Sequence, residues 1–122
     1  MKIGQVASAA GVSIDTVRFY ERRGVLPPAP RTASGYRVYT GATVVRIKLA
    51  RRLQGLGLTL DEVIGALRAQ DTGHASCETE RWRLQAALDR IESRMAALSR
   101  LRAELGQALA ACEAGSCRVL AD

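Results

Sequence analysis

The sequence predicts a mostly α-helical protein. A small basic domain of short helices with one β-hairpin comes first. One long helix follows, which pairs with a second copy as an antiparallel coiled coil. Three observations lead there. Apolar-faced stretches flank Gly11 within the first 24 residues. Residues alternate in character from Tyr36 to Thr40. Between Cys77 and Cys112 stand no proline and a single glycine, Gly106, in a run rich in Ala, Leu, Arg, Glu and Gln, all good helix formers.

Taken in order, MKIGQVASAAGVSIDTVRFYERRG reads as two helices about a tight turn. Ile3, Val6, Ala7 and Ala10 make the inner face of the first. Gly11 permits the turn by accepting positive φ. Ser13 can cap the second helix, which carries Ile14, Val17 and Phe19 or Tyr20 as its apolar residues. Thr16, Arg18 and Arg22 then point outward as candidate DNA contacts. Gly24 can stop this helix, and Pro27-Pro28 prevents its resumption. This is the grammar of a helix-turn-helix.

RTASGYRVYT has strand periodicity and a turn at Ser34-Gly35, so Arg31 to Tyr39 is expected to form a small hairpin. A hairpin placed there is a wing. Its Arg31, Tyr36, Arg37 and Tyr39 can reach DNA phosphates, with one tyrosine expected instead to pack the hairpin on the helices. Thr40 opens a third helix, about Gly41 to Gly55, carrying Val44, Ile47, Leu49 and Leu53. Thr59 and Glu62 form a capping box for a fourth, which runs to about Ala69 with Val63, Ile64 and Leu67 inward. QDTGHAS reads as a polar hinge. The expected divisions are a winged helix-turn-helix domain over 1–69, a hinge over 70–77, a dimerisation helix over 78–111, and a loop and tail over 112–122.

In the long helix Leu84, Leu88, Ile91, Met95 and Leu98 follow the four-three spacing of a coiled-coil seam. Leu101, Leu105, Leu109 and Cys112 continue an apolar face after a phase slip. About 34 residues at ~1.5 Å each make a rod of roughly 50 Å. Cys77 precedes one end, while Cys112 and Cys117 lie at the other, so they cannot meet within one straight helix. Two antiparallel copies would bring Cys77 of one chain beside Cys112 and Cys117 of the other, twice per dimer. The alternative is that all three are small buried apolar residues.

The chain has 122 residues and a net charge of +6. Residues 1–58 hold ten Lys and Arg against Asp15 and Glu21, and the remainder eight Arg against ten acids. A compact positive half is the footprint of a nucleic-acid binder, or else a solvated basic face. With neither a signal-peptide core nor a bilayer-length apolar run, a cytoplasmic protein without membrane contact is expected. In a reducing compartment three cysteines point to metal or redox chemistry more than to a structural disulfide. One His and the lack of any base–nucleophile arrangement point away from an enzyme.

Together, IGQVASAAGVSIDTVRFYERRGVLPP, RTASGYRVY and LGLTLDEV resemble the signatures of the MerR family of bacterial transcription regulators, and the match covers nearly the whole chain. The resemblance implies a homodimer on palindromic promoter DNA. Thr16 and Arg18 would enter the major groove, and Arg31, Tyr36, Arg37 and Tyr39 would hold the backbone. In the family's divalent soft-metal sensors one thiolate precedes the dimerisation helix and two flank a loop after it. Cys77, Cys112 and Cys117 match those positions, and Cys77 argues for a +2 ion because the copper-sensing branch typically has Ser there. The loop Glu113–Ser116 is shorter than in most members, and the additional His and Cys of the zinc-sensing branch are absent. Thiolates suit thiophilic ions. The implied order is Hg(II), then Cd(II) or Pb(II), then Zn(II), with Cu(I) last; any fourth donor would be His74, Glu113, Ser116 or water. The implied mechanism is a repressor that becomes an activator when metal binding bends and underwinds the promoter for RNA polymerase. A thiol redox sensor, closing Cys112 onto Cys117, is the alternative on the same scaffold.

Overall fold

The computed structural model describes residues 1–115. Five helices follow in order: α1 (Ile3–Ala10), α2 (Ile14–Arg23), α3 (Gly41–Gly55), α4 (Leu60–Asp71) and α5 (Cys77–Glu113). The chain divides into two compact units, one from Met1 to Leu84 and one from Gln85 onward.

In the first unit α1 packs on α2 and α3, and α3 packs on α4. The sequence sets each junction. Gly11 at φ 70° ends α1, and its N–H donates back to Ser8 and Ala7 carbonyls. Ser13 Oγ accepts the Thr16 N–H at 3.1 Å and caps α2. Gly24 at φ 86° closes α2; a side chain at either glycine would strain the backbone. Thr59 and Glu62 form the expected reciprocal box, with bonds of 3.2 and 2.8 Å. Thr40 stands at the start of α3 but makes no side-chain cap bond.

The core collects Val6, Val17, Tyr20, Val25, Leu26, Ile47, Ala50, Leu58, Val63 and Leu67. The choice on α2 falls on Tyr20, which is buried and donates its hydroxyl to Gln54 Oε1 at 2.6 Å. Phe19 stays part-exposed, with the Arg22 and Arg23 guanidiniums 5.9 and 5.8 Å from its ring centre. Arg46 is a clasp. It donates to the Val25 carbonyl at 2.6 Å and makes two bonds to the Asp71 carboxylate, at 2.6 and 3.0 Å.

The hairpin departs from expectation. Among the described residues no strand forms, and the wing holds one antiparallel bridge, Arg31 to Arg37. Its hydrogen bonds show why. Thr32 N–H donates to the Tyr36 carbonyl at 2.7 Å, and the turn closes at once with Gly35 N–H on the Thr32 carbonyl. At the other end the Pro30 carbonyl accepts Val38 N–H at 2.8 Å, but a proline has no N–H to return. The ladder is blocked on both sides. The alternation survives without the strand: Tyr36 and Val38 face out, while Tyr39 is buried and Arg37 part-buried.

The link between α4 and α5 is shorter than the expected hinge, because α4 continues to Asp71. Arg83, in the second turn region of α5, lies against Gly65 of α4. A Cβ at Gly65 would come within 2.6 Å of the guanidinium. The second unit is the rest of α5, whose apolar stripe from Leu88 to Leu109 is largely exposed. Among the described residues no helix is long and apolar enough to cross a membrane.

Candidate functional site

α2 and the wing together enclose an open groove of about 510 Å³. Lys2, Arg18, Arg22, Arg31 and Arg37 line it, with Tyr36 at its edge and Glu21 as the one acid among the described lining residues. Five cations around a concave surface make a strong positive field suited to phosphates. The helix-turn-helix explains how they converge. Capping by Ser13 starts α2 so that Val17 and Tyr20 face the core, and Arg18, Glu21 and Arg22 are left on the groove side.

Of the seven residues that the sequence assigns to DNA, five line this groove: Arg18, Arg22, Arg31, Tyr36 and Arg37. Arg18 is exposed, with only a loose 3.9 Å contact to Asp15. Arg31 Nη1 donates to the Gly35 carbonyl at 3.2 Å, which stiffens the wing tip. Tyr36 is 67% exposed and lies under the Lys2 ammonium, 5.9 Å from its ring centre. Thr16 sits in the first turn of α2 with its hydroxyl 2.9 Å from that of the cap Ser13.

Tyr39 is the tyrosine that packs. It is buried, and its hydroxyl bonds to Glu21 Oε1. Burial first, and then the hydrogen bond to Glu21, raises its pKa above the ordinary phenol value. Arg37 Nη1 reaches Glu21 Oε2 at 3.2 Å. Its guanidinium is held above its ordinary pKa by the bond with Tyr39 first and the Glu21 charge second. Sequence reasoning missed Lys2 and Glu21. Lys2 was legible only as one more cation. Glu21 carried a signal, as one of two acids in a basic half.

Cys77 is the first residue of α5 and Cys112 the last but one, and both are exposed rather than buried. Cys117 and Ser116 lie outside the described residues, as does the rest of the tail. His74 sits in the link before α5, its Nδ1 3.0 Å from the Thr72 hydroxyl. Among the described residues no three His, Cys, Asp or Glu side chains converge within one chain. Cys77 and Cys112 are the sulfur donors that the described residues offer to a thiophilic ion.

Two short helices about a tight turn, a basic groove and a short wing define a helix-turn-helix protein. The chain belongs to the MerR family: residues 1–70 match the MerR HTH family regulatory protein model, and residues 44–108 match the MerR, DNA binding model. It is thus a MerR-type DNA-binding transcription regulator. Among its relatives is the mercuric resistance operon regulatory protein of Shigella flexneri, 37% identical over 114 residues, spanning 93% of this chain and 78% of that one. The HTH-type transcriptional regulator ZntR of Escherichia coli (strain K12) is 31% identical over 112 residues, spanning 91% and 79%. Among solved structures, the transcription regulator PbrR691 from Ralstonia metallidurans CH34, in complex with lead(II), superposes with a TM-score of 0.83 at 29% identity, over 91% of this chain and 87% of that one.

Proposed function

We propose that this regulator is a metal-responsive homodimer that represses its promoter without metal and activates it when a thiophilic ion binds. The observation that carries the reading is the pair of exposed cysteines at the two ends of one unbroken 37-residue helix with an exposed apolar stripe. An exposed stripe of this length must be covered. A second α5 laid antiparallel covers it and joins Cys77 of one chain to Cys112 and Cys117 of the other. Three thiolates around a +2 ion leave one negative charge, and soft sulfur donors favour Hg(II) first, with Cd(II), Pb(II) and Zn(II) behind it. The mercuric resistance regulator, ZntR and the lead(II) complex of PbrR691 among the relatives support a thiophilic ion of this class.

On the DNA side, Thr16, Arg18 and Arg22 read the major groove, while Arg31, Tyr36 and Arg37 hold phosphates. Tyr39 serves as an internal strut. Metal binding favours one dimer state over the other, and that state bends the promoter so that RNA polymerase, in the cytoplasm, finds its elements aligned. Competitive titration of the purified protein with Hg(II), Cd(II), Pb(II), Zn(II) and Cu(I) in thiol buffer, with free thiols counted, tests the metal half. Hg(II) should win and protect three thiols per site. Equal weak binding of all five ions, with diamide oxidation of Cys112 and Cys117 instead switching DNA output, would favour the redox sensor.

A further inference from the structure

Glu21 is an unexpected resident of a groove that faces DNA. Asp15, the other acid of the basic half, is 95% exposed at its side chain. The Glu21 side chain is only 10% exposed. Both of its oxygens are engaged, Oε2 by Arg37 Nη1 at 3.2 Å and Oε1 by the Tyr39 hydroxyl. A carboxylate here repels an approaching phosphate. The Tyr39 hydroxyl needs only an acceptor, which a neutral side chain would supply. The negative charge is therefore explained by what it does to Arg37.

We propose that Glu21 is an electrostatic restraint on the wing: its charge cancels that of Arg37, so that the wing is positioned on DNA without adding to sequence-independent attraction. The proposal rests on reading the groove as the DNA interface. Binding to random DNA scales with the number of phosphates that cations neutralise. A guanidinium already paired with a shielded carboxylate releases few counterions, yet its remaining N–H groups still aim hydrogen bonds outward. Arg18 and Arg22, on the same groove, carry the unrestrained charge. Operator binding thereby stands further above the random background than five free cations would allow.

The test compares Glu21→Gln, Arg37→Ala and the double variant on operator and random-sequence duplexes across a salt series. Glu21→Gln keeps the shape and the acceptor for Tyr39 and removes only the charge. Its random-DNA salt slope should steepen by about 0.9, and at low salt its random-DNA binding should tighten roughly severalfold. Its operator-to-random ratio should fall. Arg37→Ala leaves a bare carboxylate in the groove and should weaken binding to all DNA. The double variant should return to wild-type random-DNA affinity within about twofold. If Glu21 merely shapes the wing, Glu21→Gln will show an unchanged or shallower slope, and the double variant will stay as weak as Arg37→Ala; either outcome overturns the restraint. Arg18→Ala and Arg22→Ala separate the two failures. If neither weakens DNA binding, the groove is not the interface and both readings fall. If they weaken it while the Glu21→Gln slope stands still, the restraint alone falls.

Discussion

Ile91→Glu is a sharp probe of the proposed pairing of two α5 helices. Ile91 lies midway along the stripe and is 40% exposed in one chain. Its stripe companions from Leu84 to Leu109 are between 47% and 69% exposed. Fully burying such a side chain gains about 1.5–3 kcal/mol, so the exposed part of each is worth roughly 1 kcal/mol to a dimer. The substitution forfeits that gain and buries a carboxylate with no partner, at a cost of several kcal/mol. In a two-fold dimer each protomer carries the change. A combined loss of ~5 kcal/mol or more raises the dissociation constant by more than about a thousandfold, at ~1.4 kcal/mol per tenfold. Sedimentation velocity at low micromolar concentration reads the outcome directly. Ile91→Glu should run as a folded monomer, while Glu92→Ala, one position off the stripe, should remain dimeric. An Ile91→Glu protein that still sediments as a dimer would refute the seam or its register.

Further outcomes follow from the groove, the Arg46 clasp and the thiols. Arg18→Ala should lose operator discrimination, whereas Arg37→Ala should weaken operator and random DNA alike; an unchanged operator-to-random ratio in Arg18→Ala contradicts its groove assignment. Arg46→Met should destabilise the first unit by about 1–3 kcal/mol in urea unfolding, because it strands the buried Val25 carbonyl. The hydrogen bond from Arg46 holds Asp71 below its ordinary pKa of 3.8, so the pair's contribution is complete above that value and is lost as pH falls through the lowered one. Wild type should therefore lose more stability than Arg46→Met on acidification below about pH 4, by a small margin because Asp71 is half exposed. Metal affinity should fall steadily in acid, since thiols must ionise to bind, and a pH-independent affinity would argue against thiolate ligands.

Much of the fold was legible because short-range chemistry wrote it. Gly11, Ser13, Gly24 and the Thr59–Glu62 box each act within a few residues, and each sits where the sequence placed it. α3 has the bounds expected of it, and α5 runs one residue earlier and two later than expected. The wing failed as a pair of strands because periodicity reports which way side chains face, not whether backbone donors exist. Pro30 denies one donor, and the turn after Thr32 leaves no room for more. Arg18 and Arg22 were readable as charge on an outward helix face, and Arg31 and Arg37 as charge on the wing. Arg46 was not, because its partners Val25 and Asp71 lie about two dozen residues away on either side. The Glu21 network has the same cause: Tyr39 and Arg37 reach it only after the wing has folded back on α2.

The central claim is that the metal is held across two chains, and mixed dimers test it most directly. Cys77 and Cys112 are separated by roughly 50 Å of helix rise in one chain. Let one chain carry Cys77→Ser and another carry Cys112→Ser with Cys117→Ser. Neither homodimer then owns a complete three-thiolate site. In the mixed dimer, one end joins Cys112 and Cys117 of the first chain to Cys77 of the second, and the other end has no thiol. Mixing should therefore produce one tight Hg(II) per dimer and a three-coordinate thiolate-to-metal band at half the wild-type amplitude. A Cys77→Ser homodimer that already binds with full stoichiometry, affinity and coordination would contradict the account, because Cys112 and Cys117 would then suffice without the partner.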